Sequence, residues 1–160
     1  MIKDSGERKE FESGAVRDIQ KGKGRCDLLP LDTLAYLCGD EKVLTELSRF
    51  MDFGRTESLQ LTIYMFCEQC LCCPIETAIL DLSKHYEEGA IKYDDHNWRK
   101  GIPVSVFINS AVRHYFKYKR GDNDEHHDRA FLWNIVGALW TLSHHPELED
   151  IDHAACRGEC

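Results

Sequence analysis

Apolar residues recur at helical spacing along most of the chain, and no segment alternates long enough to read as a strand. The clearest run is Pro74 to Tyr93, where Ile75, Ala78, Ile79, Leu82, Tyr86 and Ala90 form a stripe of helical period. Pro74 stands where a first turn tolerates proline. Val104 to Arg120 repeats the pattern, with Val104, Ile108, Ala111, Tyr115 and Tyr118 on one face and Ser110, Arg113, Lys117 and Arg120 on the other. After Gly121, residues Asn123 to His145 read as a last long helix, stopped by Pro146.

The earlier part is also helical. Leu31 to Cys38 follows Pro30, and DEKVLTELSRFMDF places Val43, Leu44, Leu47, Phe50 and Met51 on one helical face. Thr56-Glu57-Ser58 is positioned to cap a further helix through Leu61, Tyr64 and Met65. Residues 1–12 read as a charged, extended end, 13–30 as a loop and Asp94 to Pro103 as another loop. The pattern predicts an all-α helical bundle.

Length and charge narrow the function. At 160 residues and 42% hydrophobic content, the chain suits one domain spanning 1–160 with one core. A net charge of -8 argues against general nucleic-acid binding through phosphate neutralisation. No apolar run reaches the roughly 18 residues of a membrane span. The opening MIKDSGERKEFESG lacks the apolar core of a signal peptide, which points to the cytoplasm. Eight cysteines therefore read as reduced thiols or metal ligands. Cys67-x-x-Cys70 with Cys156-x-x-x-Cys160 would build a four-thiolate zinc site only if the tail folds back; the apolar setting of Cys67 and Cys70 favours buried, inert thiols.

Two acidic clusters interrupt the long helices: Glu87-Glu88 in HYEEGAIKY, and GDNDEHHDRAFLWN at the start of the last helix. In the second, Glu125 and Asp128 lie three apart, as do Asp124 and His127, so each pair shares a helical face. Acids at a helix N-terminus complement its dipole, but Glu87 and Glu88 lie near a C-terminus, where negative charge is unfavourable. Glu88 can also pair with Lys92 at i+4. Carboxylates from two antiparallel helices suit a hard divalent cation. Lys92, Arg99, Lys100, Arg113, Lys117 and Arg120 lie between the clusters, as expected beside a polyphosphate. KYDDHNW adds Tyr93, Asn97 and Trp98, groups able to stack on or hydrogen-bond a base, though each is also an ordinary packing residue.

In order along the chain, SGAVRDIQKGKGRCDLLP, EEGAIKYDDHNWRKGIPVS and NSAVRHYFKYKRGDNDEHHDRAFLWN resemble the mostly phage-encoded dATP/dGTP diphosphohydrolase-type domain. That domain is a distant relative of the MazG-like all-α nucleoside triphosphate pyrophosphohydrolases. The resemblance covers Ser13–Pro30 and Tyr86–Asn134. It implies a helical bundle, commonly paired between subunits, that splits a (deoxy)nucleoside triphosphate, a purine one by the family's pattern, into monophosphate and pyrophosphate using two or three Mg²⁺ or Mn²⁺ ions. It implies metal ligation by Glu87, with Glu88, and by either Glu125 with Asp128 or Asp124, Glu125 and His127. Lys92, Tyr93, Asn97 and Trp98 match the family's KY…NW, Arg113-His114 its RH, and Asn134 the Asn of its WN, and the resemblance implies that Lys92, Tyr93, Asn97, Trp98, His114, Lys117 and Asn134 contact the substrate.

The chain departs from this pattern at Lys84, where MazG-like enzymes carry a second glutamate, and across about 34–74, which the compact members lack. The core helices would be 75–146. Read with these motifs, the leader 1–30 is not a P-loop, since Gly22-Lys23 is followed by Gly24. It is expected to act as a basic flap: Arg17, Lys21, Lys23 and Arg25 close on the phosphates, and Asp27 anchors the flap or reads the base. Arg113 and Lys117 are expected to stabilise the transition-state charge. Two rivals are a nucleotide-binding module without turnover, motivated by Lys84, and a zinc-stabilised interaction protein built on the cysteines.

Overall fold

Proline and glycine punctuate the helices of the computed structural model, which describes residues 6–39 and 42–153. Helix α1 (Leu31–Cys38) starts after Pro30, α2 (Val43–Phe53) ends at Gly54, and α3 (Thr56–Phe66) runs into a π-helical turn at Cys67–Leu71. Helix α4 (Ile75–Tyr93) follows Pro74, and α5 (Val104–Arg120) follows Pro103. Gly121 takes a φ of +83° after α5, a left-handed cap that side chains with a Cβ rarely adopt. Helix α6 (His127–His144) completes the bundle. Among the described residues no single helix is long and apolar enough to cross a membrane. Cys156 and Cys160 lie outside the described residues.

The all-α expectation is met in class but corrected in four places. The leader holds an antiparallel strand pair, β1 (Arg8–Glu10) and β2 (Val16–Asp18), in register Arg8↔Asp18, Lys9↔Arg17 and Glu10↔Val16. Three residues are too few to show alternation in sequence. The expected loop Asp94 to Pro103 contains a 3₁₀ turn at Asn97–Lys100. Helix α3 begins at Thr56 with Arg55 in the capping position and no side-chain cap, so Thr56-Glu57-Ser58 does not cap it. Helix α6 begins at His127 rather than Asn123. Arg120 grips Asp122, whose N–H donates to the Lys117 carbonyl, so the chain turns back before the helix can start.

The core lies where α5 packs along α6, with α3 and α4 also against α6. Phe66, Tyr115 and Phe131 meet there, with Phe66 and Phe131 ring centroids 4.3 Å apart. Residues 34–74 add Val43, Leu44, Leu47, Phe50, Leu59 and Phe66 to the same core, each fully buried. Burying a side chain of this size stabilises the fold by about 1.5–3 kcal/mol. One face of that stretch is therefore scaffold.

Candidate active site

The leader docks on the helices through side chains that satisfy its backbone. Asn97 accepts the Val16 N–H at 2.9 Å and donates to the Val16 carbonyl at 2.8 Å, copying a strand partner. Ser13 donates to the Gly101 carbonyl. Asp18 accepts from Tyr93 Oη at 2.6 Å and Lys92 Nζ at 2.9 Å. Burial pushes the Asp18 carboxyl up, but the Tyr93 and Lys92 hydrogen bonds outweigh it and hold the group below its ordinary range.

This docking forms one wall of an open cavity of about 400 Å³ between β2, the following turn, α4, α5 and α6. Its wall is cationic. Arg17 lies between the Phe107 and Trp133 rings, 5.3 and 5.1 Å from their centroids, and donates from Nη2 to Asn134 Oδ1. Burial, with Arg113 nearby, lowers Arg17 to about 10, so it stays charged at neutral pH. Arg113 donates from Nη2 to Gln20 Oε1 at 3.0 Å and Ser110 Oγ at 2.9 Å, and burial lowers it too. In each guanidinium Nη1 is buried without a partner among the described residues. Lys23 and Lys117 complete the wall. Buried donors left unpaired are costly.

At one end of the cavity the helix turn between α5 and α6 gathers imidazoles and carboxylates. His114 Nδ1 and His127 Nδ1 lie 3.0 Å apart, and Glu125 Oε1 lies 3.4 and 3.5 Å from them. His127 Nε2 meets Asp124 Oδ1 at 2.8 Å, and Lys117 Nζ lies 3.3 Å from Asp124 Oδ2. Burial, followed by Arg113 and His127, pushes His114 down to about 2, so its imidazole is neutral. Among the described residues two groups could hold a metal: His114, Glu125 and His127; and Asp122, Asp124 and His127. Acidic capping does not account for them, because only Asp128 of the acidic stretch falls in the first turn of α6.

The other expected residues are placed differently. Glu87 is exposed and Glu88 half-buried on α4, and neither they nor Asp128 join these groups. Glu88 and Asp128 instead flank His85, whose pKa both raise against its burial. Trp98 packs edge-on against Trp140 and Tyr86, with centroids 4.9 and 5.7 Å away. Arg25 is paired to Asp27 in the 3₁₀ turn Cys26–Leu28, and Lys21 is exposed. Of the four leader cations, Arg17 and Lys23 line the cavity.

Asp18, Gln20, His85, Ser110 and Trp133 also line it, and sequence reasoning did not assign them. Trp133 carried a signal beside Asn134 in the quoted WN pair, and His85 one at i−3 from Glu88. Asp18 had none, because its partners lie more than seventy residues away.

A sequence model of the family described as dATP/dGTP diphosphohydrolase, N-terminal, matches residues 70–151, half of the chain. The matched span takes in α4, α5 and α6 and with them Arg113, His114, Glu125 and His127; the leader strands lie outside it. No curated protein and no solved structure matches the chain.

Proposed function

Since the chain belongs to the dATP/dGTP diphosphohydrolase N-terminal family, we propose that it hydrolyses a purine deoxynucleoside triphosphate to the monophosphate and pyrophosphate with a divalent cation. The family description supports nucleotide hydrolysis as the class of reaction. The observation that carries the reading is the cavity itself: Arg17, Lys23, Arg113 and Lys117 line it beside a carboxylate–imidazole group. A cationic wall next to metal-type donors suits a polyphosphate and little else of comparable size.

The donor chemistry fits a divalent ion, with Glu125 and His127 as ligands and Asp124 hydrogen-bonded behind His127. When bound, such an ion polarises a phosphoryl oxygen and makes water a stronger nucleophile. The chain's own groups do the rest. Arg17 and Arg113 donate their remaining N–H groups to phosphate oxygens, and Lys23 and Lys117 offset the charge that builds on departing pyrophosphate. Water adds to the α-phosphorus as its bond to the bridging oxygen breaks, that oxygen leaves with pyrophosphate, and the proton lost by the water passes to solvent. The docked leader covers one side of the cavity, and the lower local dielectric there strengthens these interactions. Asp18, tied to Lys92 and Tyr93, keeps β2 and hence Arg17 in place.

The test is a screen of all eight nucleoside and deoxynucleoside triphosphates with Mg²⁺ and Mn²⁺, with products resolved by anion exchange. Monophosphate and pyrophosphate in equal amounts from dGTP or dATP are expected. Arg113→Ala is expected to lower kcat/KM by about 10²–10³-fold. Glu125→Gln is expected to abolish most turnover, and a comparable loss in Glu87→Gln would bring the end of α4 into the reacting site. Tight nucleotide binding with no pyrophosphate from any substrate would overturn hydrolysis.

A further inference from the structure

We propose that His114, Glu125 and His127 form a three-ligand site for a first-row transition ion, selecting Mn²⁺ or Co²⁺ over Mg²⁺. The proposal adds His114, expected from sequence to touch substrate, to the ligand set. It rests on the functional reading only for the phosphate oxygens that would complete the coordination sphere.

The three ligand atoms are spaced for one ion. Two ligand atoms each about 2.1 Å from one ion lie about 3.0 Å apart at an octahedral angle and about 3.4 Å apart at a tetrahedral one. His114 Nδ1, His127 Nδ1 and Glu125 Oε1 form a closed triangle with edges of 3.0, 3.4 and 3.5 Å. That is the size of one face of a coordination polyhedron. The same three atoms make all three edges, so one ion can touch them together.

The His127 ring is also held in a ligating tautomer. His127 is 2% exposed, and its Nε2–H donates to Asp124 Oδ1 at 2.8 Å. With Nε2 as donor, Nδ1 faces His114 and Glu125 with its lone pair; His114 Nδ1 donates to it at 3.0 Å, and an ion bound there would move that proton to His114 Nε2. A carboxylate behind a histidine in this way orients the ring and raises its basicity toward a metal. Lys117 restrains Asp124 from the other side. The alternative group that uses His127 through Nε2 is less available, because Arg120 holds both oxygens of Asp122.

Ligand chemistry selects the ion. Mg²⁺ takes oxygen ligands and keeps much of its water, whereas imidazole suits the later first-row ions. Two imidazole nitrogens and one carboxylate oxygen therefore discriminate against Mg²⁺. Three protein ligands leave positions open, and the open side meets the cavity, since His114 and Glu125 line it together with Arg113.

Metal binding is measured on the full chain after chelator treatment, without nucleotide. Titration with Co²⁺ is expected to fill one site, with visible bands of nitrogen and oxygen ligation and no thiolate charge-transfer band. Mg²⁺ is expected to compete at least about tenfold less well. His114→Gln and Glu125→Gln are expected to weaken Co²⁺ binding more than about tenfold and Asp124→Asn by about tenfold, while Cys67→Ser with Cys70→Ser leaves it unchanged. In the unmutated chain, which removes any question of misfolding, substoichiometric Mn²⁺ is expected to broaden the imidazole NMR signals of His114 and His127 before those of the other histidines. Equal affinity for Mg²⁺ and Co²⁺, a thiolate band, or broadening that spares His114 would overturn the proposal. Hydrolysis with Mg²⁺ and no selective Co²⁺ site would sink this inference and leave the functional reading standing; selective Co²⁺ binding without hydrolysis would do the reverse.

Discussion

His85 shows how one side chain ties the cavity to the stability of the fold. It sits on α4 at 8% exposure, with its ring 6.1 Å from Trp133. Burial, opposed by Glu88 and reinforced by Arg17 and Arg129, lowers its pKa to about 4. The unfolded chain, with an ordinary value near 6.5, binds a proton between pH 6.5 and 4 that the folded chain does not. Stability is therefore fully present above pH 6.5 and is lost as pH falls through this window, by about 1.4 kcal/mol per unit. Urea unfolding at pH 6.5 and 5 should show about 2 kcal/mol of His85-dependent loss, and His85→Gln should remove that part. An unchanged pH dependence in the variant would show that His85 titrates normally.

Among the elements, the pairing of α5 with α6 decides both the core and the metal-type group. Its closeness depends on Gly137: a Cβ there would lie 2.4 Å from Phe107 Cε1 and 2.7 Å from its Cζ. Phe107 is fully buried and also supports Arg17. Alanine favours a helix over glycine by about 1 kcal/mol, yet the displaced ring costs about 1–3 kcal/mol. Gly137→Ala is thus expected to destabilise the chain in thermal unfolding and to weaken nucleotide binding by shifting Arg17. A higher Tm would show that Phe107 has room to move. The helices themselves were legible: stripes over α4 and α5 and the stops at Pro74, Pro103 and Gly121 are local signals. The start of α6 was not, because the Arg120–Asp122 pair competes with helix formation there.

At the scale of the whole molecule, the leader is a wall of the cavity and not a free arm. Asn97 carries this docking, since both of its amide groups are spent on Val16. Asn97→Ala would leave a backbone N–H and C=O unpaired at a cost of about 1–3 kcal/mol. Hydrogen exchange should accelerate at Val16 and Arg17 while the α5 and α6 amides keep their protection. Uniform acceleration would mean that the leader and helices open together.

The sequence by itself determined the helical class, because a 3.6-residue stripe follows from neighbours a turn apart. It also supplied the reactive residue types: Arg113-His114, the DNDEHHD stretch, and a leader rich in cations. Which of them converge was decided only by the tertiary structure. Arg17 and Lys23 reach the cavity while Arg25 turns to Asp27, and His114 meets His127 while Glu87 and Glu88 lie outside both metal-type groups. The physical reason is range. Periodicity is set by local backbone geometry, but the meeting of residues 13 or 117 positions apart depends on how closely α5, α6 and the leader pack.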